Sequence, residues 1–223
     1  MQLKSYKFGG WCLILFTLLF LGTKLVLDNR FGHLPLTELV AGGVVLRLLM
    51  LFYALLPLVL VPAIFTIHAA FKEYNPLGMK VGTAFALSAV ALTTLCLMRW
   101  PSIYWVFSQI FQQANPTQKG LIQLLQFGID NYLSIFLSGI LTKFLVTVWF
   151  WQISVAMFRD SQFPRWLAWI GAMTALVMLL TLTPFFATLS PTLIYIQNII
   201  GNMEFVWLVL LGASLIWLKH PKY

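Results

Sequence analysis

From Leu36 to Phe71 the chain is almost unbroken apolar sequence, with Glu38, Arg47 and His68 as its only acidic, basic or histidine residues. A water-facing helix needs a polar stripe, and a buried strand is far shorter than this run. The segment is also too long for one membrane crossing. As a helix it would reach roughly 50 Å at ~1.5 Å per residue, against a hydrocarbon core of about 30 Å. Dividing it at Arg47 resolves the mismatch: Thr37–Leu46 lies along the outer interface and 48–71 spans, with Pro57 and Pro62 expected to kink the span.

The rest of the chain repeats the pattern. Hydrophobic residues make up 61% of the sequence and charged residues 9%, where soluble domains carry roughly 25% charged residues to cover their surface. Mean hydropathy is +0.89. Six spans are predicted, at about 8–27, 48–71, 81–98, 137–158, 166–185 and 199–218, so the 223 residues form a single all-α, polytopic membrane bundle. The first run ends at Lys24 and Asp28 without a small-x-small processing site, which makes it a retained helix and not a signal peptide. The connection 101–132 is rich in Gln and aromatic residues around an Asn115-Pro116 turn, and is expected to form two short amphipathic pieces in the outer interface.

Basic residues set the orientation. Lys4, Lys7, Lys72, Lys80, Arg159, Arg165, Lys219 and Lys222 fall on one side, and Lys24, Arg30, Arg99 and Lys119 on the other, with Arg47 at that boundary. The bias places both termini in the cytoplasm and the protein in the cell inner membrane. The net charge of +8 is spent at helix ends and forms no basic stripe with interleaved aromatics, so nucleic acid is not an expected partner. The bilayer is the expected partner, together with a membrane protein or further copies of the chain. Cys12 and Cys96 fall at opposite depths, which argues against a disulfide.

Ionisable groups inside a membrane are costly and are the best pointers to a site. Counting inward from Arg159 and from Lys219 puts Lys143 and Glu204 at one depth near the outer face, with Lys24, Asp28 and Arg47 at a similar level. Asn198 and Asn202 would line the lip of such a pocket. Lys143 and Glu204 pair across helices, bind a ligand or ion, or snorkel separately to the headgroups. His68 and His220 both lie near the inner face, but His220 sits at the water boundary and makes a poor axial haem ligand. No catalytic, metal or nucleotide motif is present, so neither a catalytic residue nor a cofactor is expected.

Packing signals are clearer than catalytic ones. Gly82, Ala86, Ala89 and Thr93 form a small-residue face on the third span, and Thr174 and Thr181 share a face on the fifth. The second and fourth spans both end in Phe-basic-acidic, at Phe71-Lys72-Glu73 and Phe158-Arg159-Asp160, through either a duplicated hairpin or convergent turn chemistry. The turn Phe158-Arg159-Asp160-Ser161-Gln162-Phe163-Pro164-Arg165-Trp166-Leu167-Ala168-Trp169-Ile170-Gly171, with Trp207-Leu208-Val209-Leu210-Leu211-Gly212 in the last span, resembles a bacterial family of six-helix membrane proteins known as a domain of unknown function. Ala168 stands where glycine is common in that family. The resemblance implies six helices and no particular activity.

The function expected first is an accessory or interaction subunit that packs against a membrane partner or itself. A small-molecule or ion binder or transporter, using an outer-leaflet pocket around Lys143 and Glu204, is the second.

Overall fold

A computed structural model describes residues 2–31, 39, 42–180, 182 and 203–217. Asn198, Asn202, Thr181 and His220, and the side chain of Asp28, lie outside the described residues. The described residues form helices joined by short turns, and no strand occurs among them. In chain order the helices are α1 (Gln2–Phe31), α2 (Gly43–Phe71), α3 (Pro76–Gln113), α4 (Pro116–Arg159), α5 (Arg165–Leu180) and α6 (Met203–Trp217).

Among the described residues, α1 to α4 are long and apolar enough to cross a membrane, and α5 and α6 are shorter apolar helices. At ~1.5 Å per residue, the 16 and 15 residues of α5 and α6 reach about 24 and 22 Å. The 38 and 44 residues of α3 and α4 reach about 57 and 66 Å, well beyond a ~30 Å core.

Two departures from the sequence expectations follow from local chemistry. The helix that carries the second predicted span begins before Arg47. Helix α2 starts at Gly43, whose φ of +64° is open to a residue without Cβ, and Arg47 lies inside its second turn. The helices that carry the third and fourth predicted spans extend beyond Met98 and begin before 137, respectively. Helix α3 runs on past Arg99 through a π-wound stretch, Trp100–Tyr104, which accommodates the missing N–H of Pro101. Helix α4 is π-wound over Asn131–Thr142 before it becomes α-helical at Lys143. The two short pieces expected in 101–132 are therefore helical, at Trp105–Gln113 and Pro116–Asp130, but each continues directly into a long helix. The turn between them is held by a capping box, in which Asn115 accepts from the Gln118 N–H while Gln118 accepts from the Asn115 N–H.

The expected bend in α2 takes a specific form. The ladder tightens to 3₁₀ over Leu56–Val59, at Pro57, and resumes as α-helix from Leu60 through Pro62.

Packing closes the helices into a ring. Each helix from α1 to α5 packs on the next, except that α4 meets α5 through its final stretch, Lys143–Arg159, and α6 returns against both α5 and α1. Helices α1 and α6 are antiparallel, since Gly10 meets Gly212 while Phe20 stacks on Phe205 at 5.7 Å. The core inside the ring is led by Phe71, Phe150, Ile64, Ile67, Met79 and Trp207. Trp207 donates its indole N–H to the Leu167 carbonyl at 3.1 Å, which ties α6 to α5.

The two turns with matching chemistry meet at one end of the ring. Phe71 packs on Phe163 at 4.8 Å, and Arg159 donates to the Tyr74 carbonyl at 3.0 Å. At the other end, a second core of Leu39, Leu46, Met50, Tyr104, Phe111 and Ile122 fixes the 105–130 hairpin over the start of α2. Large apolar side chains on the ring's exterior, among them Leu18, Leu48, Phe65, Leu95 and Trp169, are exposed, as a lipid-facing surface requires.

Candidate functional site

Inside the ring, towards the end that carries Lys143 and Glu204, lies a cavity of about 220 Å³. Every one of the six helices gives it a side chain: Phe16 and Phe20 from α1, Leu60 and Ile64 from α2, Ala89 from α3, Lys143 and Phe150 from α4, Met178 from α5, and Glu204 and Phe205 from α6. The walls are mostly apolar and aromatic, and the polar groups are few: Lys143, Glu204, Thr93, Ser138 and Thr142, with the Trp149 indole. Small-molecule pockets are commonly built this way, with a few polar groups in an apolar wall.

Local structure explains why there is space. Both departures from α-winding around the ring's interior border the cavity. Pro57 lines it from the 3₁₀ stretch of α2, and Ser138 and Thr142 line it from the π stretch of α4. On α3 the small-residue face divides in two. Gly82 serves close contact as expected, since a Cβ there would sit 3.3 Å from the Gln152 side chain of α4. Ala86, Ala89 and Thr93, a turn and more along, face the cavity and leave it room. Thr93 and Thr174 satisfy their hydroxyls within their own helices, donating to the Ala89 and Ile170 carbonyls at 2.8 Å each.

Lys143 and Glu204 come together across helices in the wall of one cavity, the placement expected from counting depths. The Glu204 carboxyl is desolvated, and the charges acting on it are Lys143 first and Lys24 second. Both Lys143 and Glu204 are only half-buried overall, because each gives part of its surface to the cavity. Among the described residues they make no direct ion pair; the pair in contact is Arg99–Asp130, at 3.3 Å. Lys24 is exposed on α1.

Arg47 is not part of this cavity. It donates Nε–H to the Pro101 carbonyl at 3.1 Å and lies over the Trp105 ring at 5.4 Å, which binds α2 to the π turn of α3.

Sequence reading missed the most connected polar cluster among the described residues. Arg99 donates to the Cys96 carbonyl at 2.7 Å and to Ser134 Oγ at 2.6 Å, pairs with Asp130, and lies beside the rings of Trp100 and Tyr104. The buried Tyr104 hydroxyl lies beside Asp130 and Arg99 without a well-formed hydrogen bond among the described residues. Arg99 and Asp130 were assigned to a helix end and a loop. Their pairing needs α3 and α4 to continue past those points. The cluster is structural in form: Arg99 links α3 to α4 through Asp130 and Ser134.

His68 packs between α2 and α3. Its Nδ1 lies 2.9 Å from Thr83 Oγ1 and 3.2 Å from the Met79 carbonyl, to which it donates when protonated. Cys12 and Cys96 are buried and free, and the Cys96 thiol donates to the Leu133 carbonyl at 3.2 Å. No group of three or more His, Cys, Asp or Glu side chains that could hold a metal occurs among the described residues.

Comparison of the chain with protein-family models, with curated proteins and with solved structures finds no match.

Proposed function

We propose that this chain is a six-span protein of the cell inner membrane, with both termini cytoplasmic, that binds a small organic molecule in the cavity between its helices. The observation that carries this reading is the placement of Lys143 and Glu204, from two helices, in one apolar cavity without direct contact between them. An ionised group below a membrane interface costs on the order of 2–3 kcal/mol even on insertion scales. Two such groups that could neutralise each other, yet leave space between them, suit an occupant that touches both. The closed ring supports the six-span count, because α5 and α6 complete the enclosure begun by α1 to α4. The positive-residue bias of the turns supports the orientation, and the resemblance of the 158–171 turn is in keeping with the span count.

The accessory-subunit reading has less to stand on. The exposed apolar faces that would favour it are also what lipid alone requires.

The test is a thermal-shift screen of compounds up to about a dozen non-hydrogen atoms on protein in lipid nanodiscs, run beside the cavity-filling variant Ala89→Phe. Ala89 is 3% exposed and lines the cavity, so a phenyl ring there occupies the space. Compounds that stabilise the parent and not Ala89→Phe are the expected result. A screen in which no compound distinguishes the two would refute a binding cavity.

A further inference from the structure

We infer that the cavity is built for a small zwitterion with an apolar body, in the size and charge class of leucine. The inference rests on the cavity being a binding site, and adds the identity of what it takes. Three observations lead to it.

The first is the arrangement of charge. Lys143 and Glu204 stand in the same wall system with opposite signs and are not joined to each other. A ligand with a single charge satisfies one of them and leaves the other opposed only by distant groups. A ligand carrying a carboxylate and an ammonium satisfies both, the carboxylate at Lys143 and the ammonium at Glu204. Among the described residues, the other charges near this end do not replace either role. Lys24 is exposed on α1 and adds only to the positive side, while Arg47 and Arg99 are committed to the Pro101 carbonyl and to Asp130.

The second is the polar lining beside the charges. Ser138 and Thr142 of α4 line the same cavity as Lys143 and Glu204, so a polar end has partners there that a hydrocarbon would leave unused.

The third is size. An engineered cavity of about 150 Å³ holds benzene, with its six carbons. On that scale a volume of about 220 Å³ takes roughly nine non-hydrogen atoms, which is the count of leucine and far below that of a phospholipid. The apolar body would lie among Phe16, Phe20, Phe150 and Phe205.

The experiment compares three molecules on the unmodified protein in nanodiscs: L-leucine, 4-methylpentanoate, which lacks its ammonium, and 3-methylbutylamine, which lacks its carboxylate. Leucine is expected to bind on the order of tenfold or more tighter than either, since each analogue leaves one buried charge unpaired. In Glu204→Gln the advantage over 4-methylpentanoate should vanish, and in Lys143→Met the advantage over 3-methylbutylamine should vanish. Equal binding of leucine and one analogue by the unmodified protein would overturn the inference in favour of a plain anion or cation site. A screened compound that binds in an Ala89→Phe-sensitive way while leucine does not would overturn the inference and leave the cavity reading intact. If no compound of any kind shows that sensitivity, both fall. The comparison of analogues needs no variant, so a misfolded substitution does not decide it.

Discussion

Gly10 and Gly22 lie on the same helix, and replacing each with alanine should move stability in opposite directions. At Gly10, α1 crosses α6 so closely that a Cβ would sit 2.5 Å from the Gly212 carbonyl oxygen and 2.8 Å from Ile216 Cγ1. The first obstacle is backbone and cannot rotate away. Restoring ordinary contact at ~3.5 Å means separating the helices by roughly 1 Å at the crossing. The reciprocal contact, a Cβ on Gly212 at 2.7 Å from the Gly10 carbonyl, shows that both backbones share the constraint. At Gly22 a Cβ meets nothing within 4 Å.

Alanine gains roughly 0.5–1 kcal/mol over glycine in a helix interior at either position. At Gly10 that gain is set against overpacking of about 1–3 kcal/mol, together with lost contact along the α1–α6 seam that closes the ring. The expected net is a loss of about 1–2 kcal/mol for Gly10→Ala and a gain of up to about 1 kcal/mol for Gly22→Ala. For a chain of this length a change of 1 kcal/mol moves the midpoint by about 2–4 °C, so the two variants should differ by roughly 2–12 °C. Thermal unfolding in one detergent, at one protein concentration, measures it. If Gly10→Ala is as stable as Gly22→Ala, α1 and α6 do not cross where the structure places them.

Three other outcomes are expected. Asp130→Asn should cost about 1 kcal/mol or less, because Asp130 is 36% exposed and its pairing with Arg99 is screened. Arg99→Met, which also loses the bonds to the Cys96 carbonyl and Ser134, should cost about 2 kcal/mol and speed amide exchange through 131–142; equal costs would contradict this ranking. Tyr74, in the turn after α2, has its phenol pKa raised first by burial and then by Asp160, which repels the phenolate and accepts the hydrogen bond, with Glu73 adding a little. The unfolded chain therefore releases this proton at lower pH than the folded one, so stability should fall as pH rises from the ordinary tyrosine range towards the raised value. Tyr74→Phe should flatten that alkaline loss in pH-dependent unfolding, and an unchanged slope would remove Tyr74 from the explanation. Reporter fusions after Lys80, Arg165 and Lys222 should read cytoplasmic and fusions within 101–132 should read outside; an outside signal at Lys222 would end the six-span model.

The parts of this fold that could be read from sequence are those governed by a single helix. Apolar runs indicated the helices, the Asn115-Pro116 turn the break between the two pieces of the 101–132 connection, and Pro57 the disturbance in α2, whereas the helical start at Pro76, ahead of the span expected from 81, was not read. Counting depth from the charged ends put Lys143 and Glu204 at one level, and both line the cavity, although among the described residues they form no direct ion pair. What stayed hidden depends on two segments at once. At Gly10 and Gly212 backbone meets backbone across two helices, yet neither belongs to a repeated small-residue pattern within its own helix. The small residues that do form such a pattern, Ala86, Ala89 and Thr93, turned out to face a cavity, because a small side chain permits either a close neighbour or a space.

Winding is the deeper obstacle, and it bears directly on the site. Across Asn131–Thr142 the ladder closes i to i+5, as the Thr142 hydroxyl shows by donating to the Leu137 carbonyl five residues back. Each residue then turns through a smaller angle than in an α-helix, so faces counted on a 3.6-residue period are wrong by the end of the stretch. Nothing in Asn-Tyr-Leu-Ser-Ile-Phe-Leu-Ser-Gly-Ile-Leu-Thr announces this by composition. The consequence falls on the next residue in the chain, Lys143, and on Ser138 and Thr142 before it, which together make the polar side of the cavity on α4. Rewinding the stretch as an α-helix would swing these three groups around the axis relative to Glu204, which α6 holds independently. The opposition of charge on which the proposed binding depends is therefore a property of this winding as much as of the two charged residues.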